Sequence, residues 1–169
     1  DREYVWHTGA VAVLALDEAD RVLMIRQYRH PVGHALWEIP AGLLDLDGEA
    51  PHIAAARELA EETGYDPTGI RTLVDLRPSP GGTDEVIRVY LATGVRSSEN
   101  EFERTDEEAD LVTRWVPLAD AVTAVLEGRI TNATTVSAVL ALQVLRARGQ
   151  GPDDLRPGDA TFMARPGRD

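Results

Sequence analysis

The 169-residue sequence contains no cysteine. That excludes a disulfide framework and any thiolate metal site, so a bound metal must be held by oxygen ligands or by the four histidines, a choice that favours a hard cation. No stretch approaches the roughly 18 uninterrupted apolar residues of a membrane span. The start, Asp1-Arg2-Glu3-Tyr4, has neither the basic nor the apolar segment of a signal peptide. No membrane partner is expected, and a cytoplasmic location is. Positive charge is scarce: 17 basic against 29 acidic side chains give a net charge of −12. This is the wrong balance for a surface that tracks nucleic-acid phosphates, so nucleic acid is not expected as a partner. An anionic nucleotide can still be held if divalent cations stand between carboxylates and phosphates. The plainer alternative is that the acidity only provides solubility.

What is present suffices for one domain, since 43% of the residues are hydrophobic and can bury a sizeable core. Apolar, β-branched runs at residues 7–16 and 21–28, separated by the polar turn Asp17-Glu18-Ala19-Asp20, predict a strand pair. Residues 71–76, 86–92 and 112–116 read as further strands. Helical periodicity covers 53–63, 118–126 and 133–147, with Val136, Val139, Leu140 and Val144 on one face of the last. The pattern predicts an α/β architecture with helices packed on sheet, spanning residues 1–148. Residues 149–169 are rich in Gly, Pro, Asp and Arg, have little to bury, and read as a mobile or surface-docked tail. Residues 99–110 form a dense acidic loop whose plainest reading is a solvated linker.

The helix beginning near Pro51 has good boundary signals. Proline suits the first turn and Gly64 suits a left-handed exit, although Ala50 is a poor cap. Ala56, Leu59, Ala60 and Thr63 form the expected buried stripe, which puts Glu58, Glu61 and Glu62 together on the opposite side. Glu58 and Glu62 are like charges at i, i+4, a spacing that costs about 0.2–0.5 kcal/mol in an isolated helix. A cation reverses that sign, because Mg²⁺ takes a few carboxylates together with waters and substrate phosphates. A glutamate-rich face is more often simply solvated, and the flanking sequence decides between the two readings.

Before the helix stands Trp37-Glu38-Ile39-Pro40-Ala41-Gly42-Leu43-Leu44-Asp45. From Gly42 there are six residues to Glu49, then seven to Arg57-Glu58-Leu59-Ala60-Glu61-Glu62-Thr63-Gly64-Tyr65. The string resembles the Nudix box, G-x5-E-x7-R-E-U-x-E-E-x-G-U with U a bulky apolar residue. It departs by one additional residue between Gly42 and Glu49, which leaves the helical carboxylates in register but weakens the case for Glu49, and by Tyr65 at the last apolar position. The resemblance implies a Nudix α/β/α sandwich with a mixed β-sheet between helices. It makes Glu58 and Glu62 ligands of Mg²⁺ or Mn²⁺, adds Glu61 to the metal cluster, and brings in the backbone carbonyl of Ala41. Arg57 is expected to orient the glutamates, and is otherwise an ordinary i, i+4 partner of Glu61.

Two flanks resemble the ADP-ribose pyrophosphatase subgroup. One is Ile25-Arg26-Gln27-Tyr28-Arg29-His30-Pro31. The other is Ser79-Pro80-Gly81-Gly82-Thr83-Asp84-Glu85, which puts a proline fifteen positions after Tyr65. On this resemblance the substrate is ADP-ribose, cleaved to AMP and ribose 5-phosphate. Arg29, Arg2, Pro80 and Glu85 are then substrate-binding residues, and the protein is a homodimer whose second subunit contributes to the nucleoside pocket. A Pro-Gly turn is also ordinary turn chemistry, and either arginine is otherwise a surface charge. The general base is expected in the acidic loop, at Glu107 first and Glu108 second, with Glu61 as the candidate if the base lies on the helix. Two alternatives stand beside this reading. One is a Nudix pyrophosphatase for another nucleoside diphosphate sugar, of the GDP-mannose type, or for a dinucleotide. The other is a non-catalytic ADP-ribose sensor, in which eroded box glutamates are common; here they are intact.

Overall fold

A computed structural model describes residues 2–99 and 111–162. Strand β1 (Ala10–Ala15) is buried along its whole length. It runs parallel to β7 (Ile87–Thr93) on one edge and antiparallel to β4 (Ala41–Leu43) on the other. Alternation along β1 sorts the core into two halves. Ala10, Ala12 and Leu14 join a cluster with Leu118 and Ala121 of helix α2 (Leu118–Leu126) and Val139 and Leu142 of helix α3 (Ala133–Ala147). Val11, Val13 and Ala15 join a second cluster with Ala54, Ala55 and Leu59 of helix α1 (Pro51–Thr63). One helix on one face and two on the other make the α/β/α sandwich with a mixed sheet that the sequence predicted.

The central sheet has five strands in the order β10 (Arg156–Pro157), β6 (Gly69–Leu76), β7, β1 and β4. A second sheet orders β3 (His34–Glu38), β2 (Arg21–Arg29) and β9 (Val112–Pro117), and β5 (Tyr65–Asp66) pairs with β8 (Arg96–Ser97). The predicted pairing of the first two strands is therefore corrected. They meet only at the bridge between Leu16 and Val22, and β2 pairs instead with β3 and β9. The apolar, β-branched runs identified both strands but not their partners. Both edges of β1 are taken, by β7 and β4, so none is left for a ladder with β2. No helix among the described residues is long and apolar enough to cross a membrane.

The buried face of α3 also differs from the predicted one: it comprises Thr135, Ala138, Val139, Leu142 and Leu145, while Val144 is 55% exposed. A polar residue sets the rotation. The Thr135 hydroxyl donates to Asn132 Oδ1 at 2.9 Å and accepts from the Ile39 N–H at 3.1 Å, so it is satisfied although fully buried. Asn132 also caps the helix by accepting from the Thr135 N–H.

Beyond α3 the chain continues onto the central sheet. After a 3-10 turn at Pro152–Asp154, Arg156 and Pro157 pair with Thr72 and Arg71 of β6. Arg88 of β7, 1% exposed, gives its Nε and Nη2 to the two oxygens of Asp75 at 2.7 and 3.1 Å. The same guanidinium donates to the carbonyls of Ala160 and Thr161 and lies 4.3 Å from the centre of the Phe162 ring. Arg156 bonds Asp75 from the other side at 3.0 Å. Residues through Phe162 are thus held by an arginine clasp that apolar composition does not reveal.

Burial raises the Asp75 pKa, but the bonds from Arg88 and Arg156 outweigh it and hold the carboxyl below its usual range. A depressed folded pKa contributes stability above the unfolded pKa, and that contribution is lost as pH falls through the folded value. Asp75→Asn is expected to cost about 3 kcal/mol at neutral pH, near the low end for breaking a buried pair because Asp75 is itself partly exposed. The deficit should shrink on acidification, as the wild type also loses the charge. Urea denaturation at several pH values measures both, and an unchanged midpoint at neutral pH would refute the clasp.

Candidate active site

Helix α1 is fixed at both ends by backbone chemistry. Pro51 occupies the first turn, and Gly64 adopts the left-handed conformation (φ 74°, ψ 24°) with its N–H donating to the Ala60 carbonyl at 2.8 Å. Ala50 makes no side-chain cap, as the sequence indicated. The buried side is formed by Ala54, Ala55, Leu59, Ala60, Glu62 and Thr63. The predicted stripe is therefore rotated: Ala56 is only half-buried and Glu62, 5% exposed, has left the solvent side.

Glu62 is buried because β4 offers it a donor. The Ala41 N–H bonds Glu62 Oε2 at 3.0 Å. In an extended strand the N–H and C=O of one residue project to the same side, so the Ala41 carbonyl lies on the Glu62 side as well. Next to it, Gly42 leaves the space that Glu58 fills. A Cβ at position 42 would stand 2.0 Å from Glu58 Cδ and 2.2 Å from Glu58 Oε1. The glycine is required by this close approach of a carboxylate to the strand, whereas its backbone conformation is ordinary.

Arg57 organises the remaining carboxylates. Its Nε and Nη2 bond the two oxygens of Glu49, each at 3.0 Å, and Nη1 reaches Glu58 at 2.8 Å and Glu61 at 2.9 Å. The pairing with Glu49 comes first among the causes that hold the arginine proton more firmly than usual, and the same bonds push the Glu49 carboxyl below its ordinary range. The additional residue before Glu49 is therefore absorbed in the loop, and Glu49 anchors Arg57. Shared by Glu58 and Glu61, Arg57 offsets part of the repulsion that crowded carboxylates exert on one helix face.

The donor set fits a hard divalent cation. Glu58 beside Gly42, Glu62 beside the Ala41 N–H and the Ala41 carbonyl are all oxygen donors of the kind Mg²⁺ or Mn²⁺ accepts. Among the described residues no three His, Asp or Glu side chains converge into a complete cage. Mg²⁺ does not need one, since it usually combines one or two carboxylates with waters and substrate phosphates.

Beside β4 lies a cavity of about 550 Å³ whose lining includes Arg29, Leu36, Glu38, Ala41, Gly42 and Glu85. Ala41 and Gly42 thus belong to the cavity wall and also touch Glu62 and Glu58. The three helical glutamates are not part of the lining. Arg29, at the end of β2, gives Nε and Nη2 to Glu38 at 3.0 and 2.8 Å. Glu85 faces His7 Nε2 at 3.6 Å. Pro80 is exposed in its turn, and Arg2 is exposed in the N-terminal segment; neither lines the cavity. Their two segments come together, because Val5 N–H donates to the Gly82 carbonyl at 2.9 Å and Val5 bridges Thr83. Glu107 and Glu108 lie outside the described residues. Two residues with site contacts escaped the sequence reading: Glu49, discounted on spacing, and Glu38. The signal for Glu38 was a lone carboxylate inside the apolar string Leu36-Trp37-Glu38-Ile39.

The NUDIX domain matches residues 6–138. The chain belongs to the Nudix family. Among its relatives, the ADP-ribose pyrophosphatase of Mycobacterium tuberculosis (strain ATCC 25618 / H37Rv) is 46% identical over 98% of this chain and 78% of its own length. The ADP-ribose pyrophosphatase of Bacillus subtilis (strain 168) is 38% identical over 86% of this chain and 78% of its own. A crystal structure of an ADP compounds hydrolase superposes with a TM-score of 0.72 at 25% identity, covering 85% of this chain and 75% of that one.

In this Nudix chain Gly42→Ala should displace the end of the Glu58 side chain while sparing most of the fold, because the clash falls on a movable carboxylate. Misplacing a reacting-site group by about 1 Å costs on the order of 100-fold, so kcat/KM is expected to fall by about that factor with a small change in unfolding midpoint. Wild-type kcat/KM in the alanine variant would show that Gly42 and Glu58 do not set the site.

Proposed function

We propose that this Nudix hydrolase cleaves the diphosphate of ADP-ribose to AMP and ribose 5-phosphate, with Mg²⁺ or Mn²⁺ as cofactor. The observation that carries the reading is the meeting of Glu58 with Gly42 and of Glu62 with Ala41 on β4, two strand residues that also line a cavity together with Arg29 while the glutamates themselves do not. Similarity to ADP-ribose pyrophosphatases over most of the chain supports the choice of substrate.

Glu58, Glu62 and the Ala41 carbonyl are the groups we assign to the cation, with Glu61 adding negative charge beside them. A divalent ion held there supplies a water nucleophile of lowered pKa and neutralises the diphosphate oxygens. Arg57 keeps Glu58 and Glu61 in position, and the chain has no lysine, so cationic help to the phosphates falls to a guanidinium. Arg29 is that group, since its planar fork suits phosphate oxygens. Glu85 takes a polar group of the substrate in the cavity. Arg2 and Pro80, on the two segments joined at Val5 and Thr83, contact the nucleoside side. Glu107 removes the proton of the attacking water, with Glu108 as the neighbouring candidate and Glu61 as the one on the helix. We also assign the enzyme to the cytoplasm and to a homodimer, the latter on family resemblance.

Chromatography of products from a panel of nucleotide sugars tests the substrate. ADP-ribose should be turned over fastest, and only with Mg²⁺ or Mn²⁺ present. Equal or greater turnover of GDP-mannose or a dinucleotide would reject the assignment, and tight ADP-ribose binding without turnover would favour a sensor. Glu58→Gln and Glu62→Gln should each abolish most activity, while Glu107→Gln should lower kcat by about 10²–10⁴-fold with little change in substrate binding. Full kcat in Glu107→Gln alongside its loss in Glu108→Gln or Glu61→Gln would move the base accordingly. Light scattering should give a dimer at assay concentration; a fully active monomer would contradict it.

A further inference from the structure

The β2–β3 ladder pairs Ile25 with Glu38, Gln27 with Leu36 and Arg29 with His34. Paired residues share a face and alternate residues change it, so Arg29, Leu36 and Glu38 all belong to the face that lines the cavity. Trp37 takes the reverse face, where the Arg114 guanidinium lies 5.8 Å from its ring centre. Glu38 is thus a carboxylate built into the cavity wall, and its side chain is only 4% exposed. An ionised carboxylate so deeply buried is stable only when paired and hydrogen-bonded. Arg29 provides both, reaching back along its strand to bond the two oxygens at 3.0 and 2.8 Å.

We propose that Glu38 is a positioning residue for the substrate diphosphate, acting through Arg29. The inference rests on the diphosphate-hydrolase reading given above. A long arginine side chain has many rotamers, and fixing one on binding weakens affinity. The Nε and Nη2 contacts to Glu38 fix the guanidinium plane before substrate arrives. They engage one edge of the fork, and the Nη1/Nη2 edge is the one suited to a second bidentate acceptor such as a phosphate. Arg29 has the accessibility this demands: its side chain is 39% exposed, against 4% for its partner. Glu38 itself touches no substrate in this account. A lysine at position 29 would keep the charge and lose the orientation, because an ammonium has no plane for Glu38 to set.

A double-mutant cycle tests the proposal on whichever nucleotide sugar the wild type turns over fastest. Glu38→Gln keeps the shape of the side chain but replaces one accepting oxygen with a donor, and Glu38→Asp keeps the buried charge while withdrawing it by one methylene. Each should raise KM about tenfold and change kcat less than about threefold, with melting temperature recorded alongside. In an Arg29→Ala background the same substitutions should add less than about twofold to the loss in kcat/KM. A purely structural Glu38 would give the same loss in both backgrounds, and that additivity would overturn the proposal, as would a wild-type KM in both variants. Should Glu38→Gln fail to fold, Glu38→Asp alone decides by the same criteria. If the wild type prefers another nucleotide sugar, the substrate assignment fails while the cycle still reads the coupling. If it turns over none, the cycle is read on the ADP-ribose dissociation constant by calorimetry, and additivity there counts equally against it.

Discussion

The carboxylate of Glu58 occupies the space in which any side chain at position 42 would stand, and much of the site depends on that single approach. It requires α1 to lie close against the sheet, which the small Ala54 and Ala55 beneath it permit. It also requires β4 to be held in a fixed register, and β4 is held by β1 through the pairs Ala10–Leu43, Val11–Gly42 and Ala12–Ala41. A slip of one residue along that ladder would exchange Gly42 for Ala41 or Leu43 under the helix and would turn the Ala41 N–H away from Glu62. The central strand thus positions chemistry without contributing a polar atom to it.

Most of the site was legible in the sequence because its spacing is local. Glu58, Glu61 and Glu62 are bound into one helix, and a helix places residues three and four apart together whatever surrounds it. Gly64 could be read from its place at the helix exit, whereas Gly42 was marked only by the resemblance to the box; the first has a left-handed backbone and the second answers to a neighbouring carboxylate. Pairings between distant segments were not legible. Apolar runs in β1 and β2 look the same whether the strands form one hairpin or separate into two sheets, and only the distant partners β4 and β7 on the edges of β1 distinguish the cases. The rotation of α3 depends on Thr135 meeting the backbone of Ile39, a contact between residues 96 positions apart. Glu62 was read as a solvent-side residue because a buried carboxylate is unexpected until its donor, the Ala41 N–H, is seen.

Residues 149–162 show the limit of composition from the other direction. Low apolar content argued for a segment with little to bury, and on apolar grounds that holds apart from Leu155 and Phe162. The segment is attached by other means: a two-residue edge pairing to β6, and backbone carbonyls presented to Arg88. Carbonyls are present in every sequence, so nothing in residue type announces that these two are used.

The same kind of interaction recurs through the molecule at three depths. All 17 basic side chains are arginine, and among the described residues three set a bidentate fork on a carboxylate: Arg88 on Asp75, Arg57 on Glu49, Arg29 on Glu38. A fork constrains orientation as well as distance, which a lysine does not. Exposure then separates the three tasks. Arg88, 1% exposed, meets only protein and holds the end of the described chain to the sheet. Arg57, 27% exposed, is shared among three carboxylates, Glu49, Glu58 and Glu61, and governs where they point. Arg29, 39% exposed, is the only one of these three in the cavity wall, and its carboxylate partner is the more buried member of the pair. In the first two pairs the carboxylate serves a structure already complete. In the third the buried glutamate orients a cation that a ligand can reach, which is the arrangement an acidic protein needs if it is to hold a diphosphate.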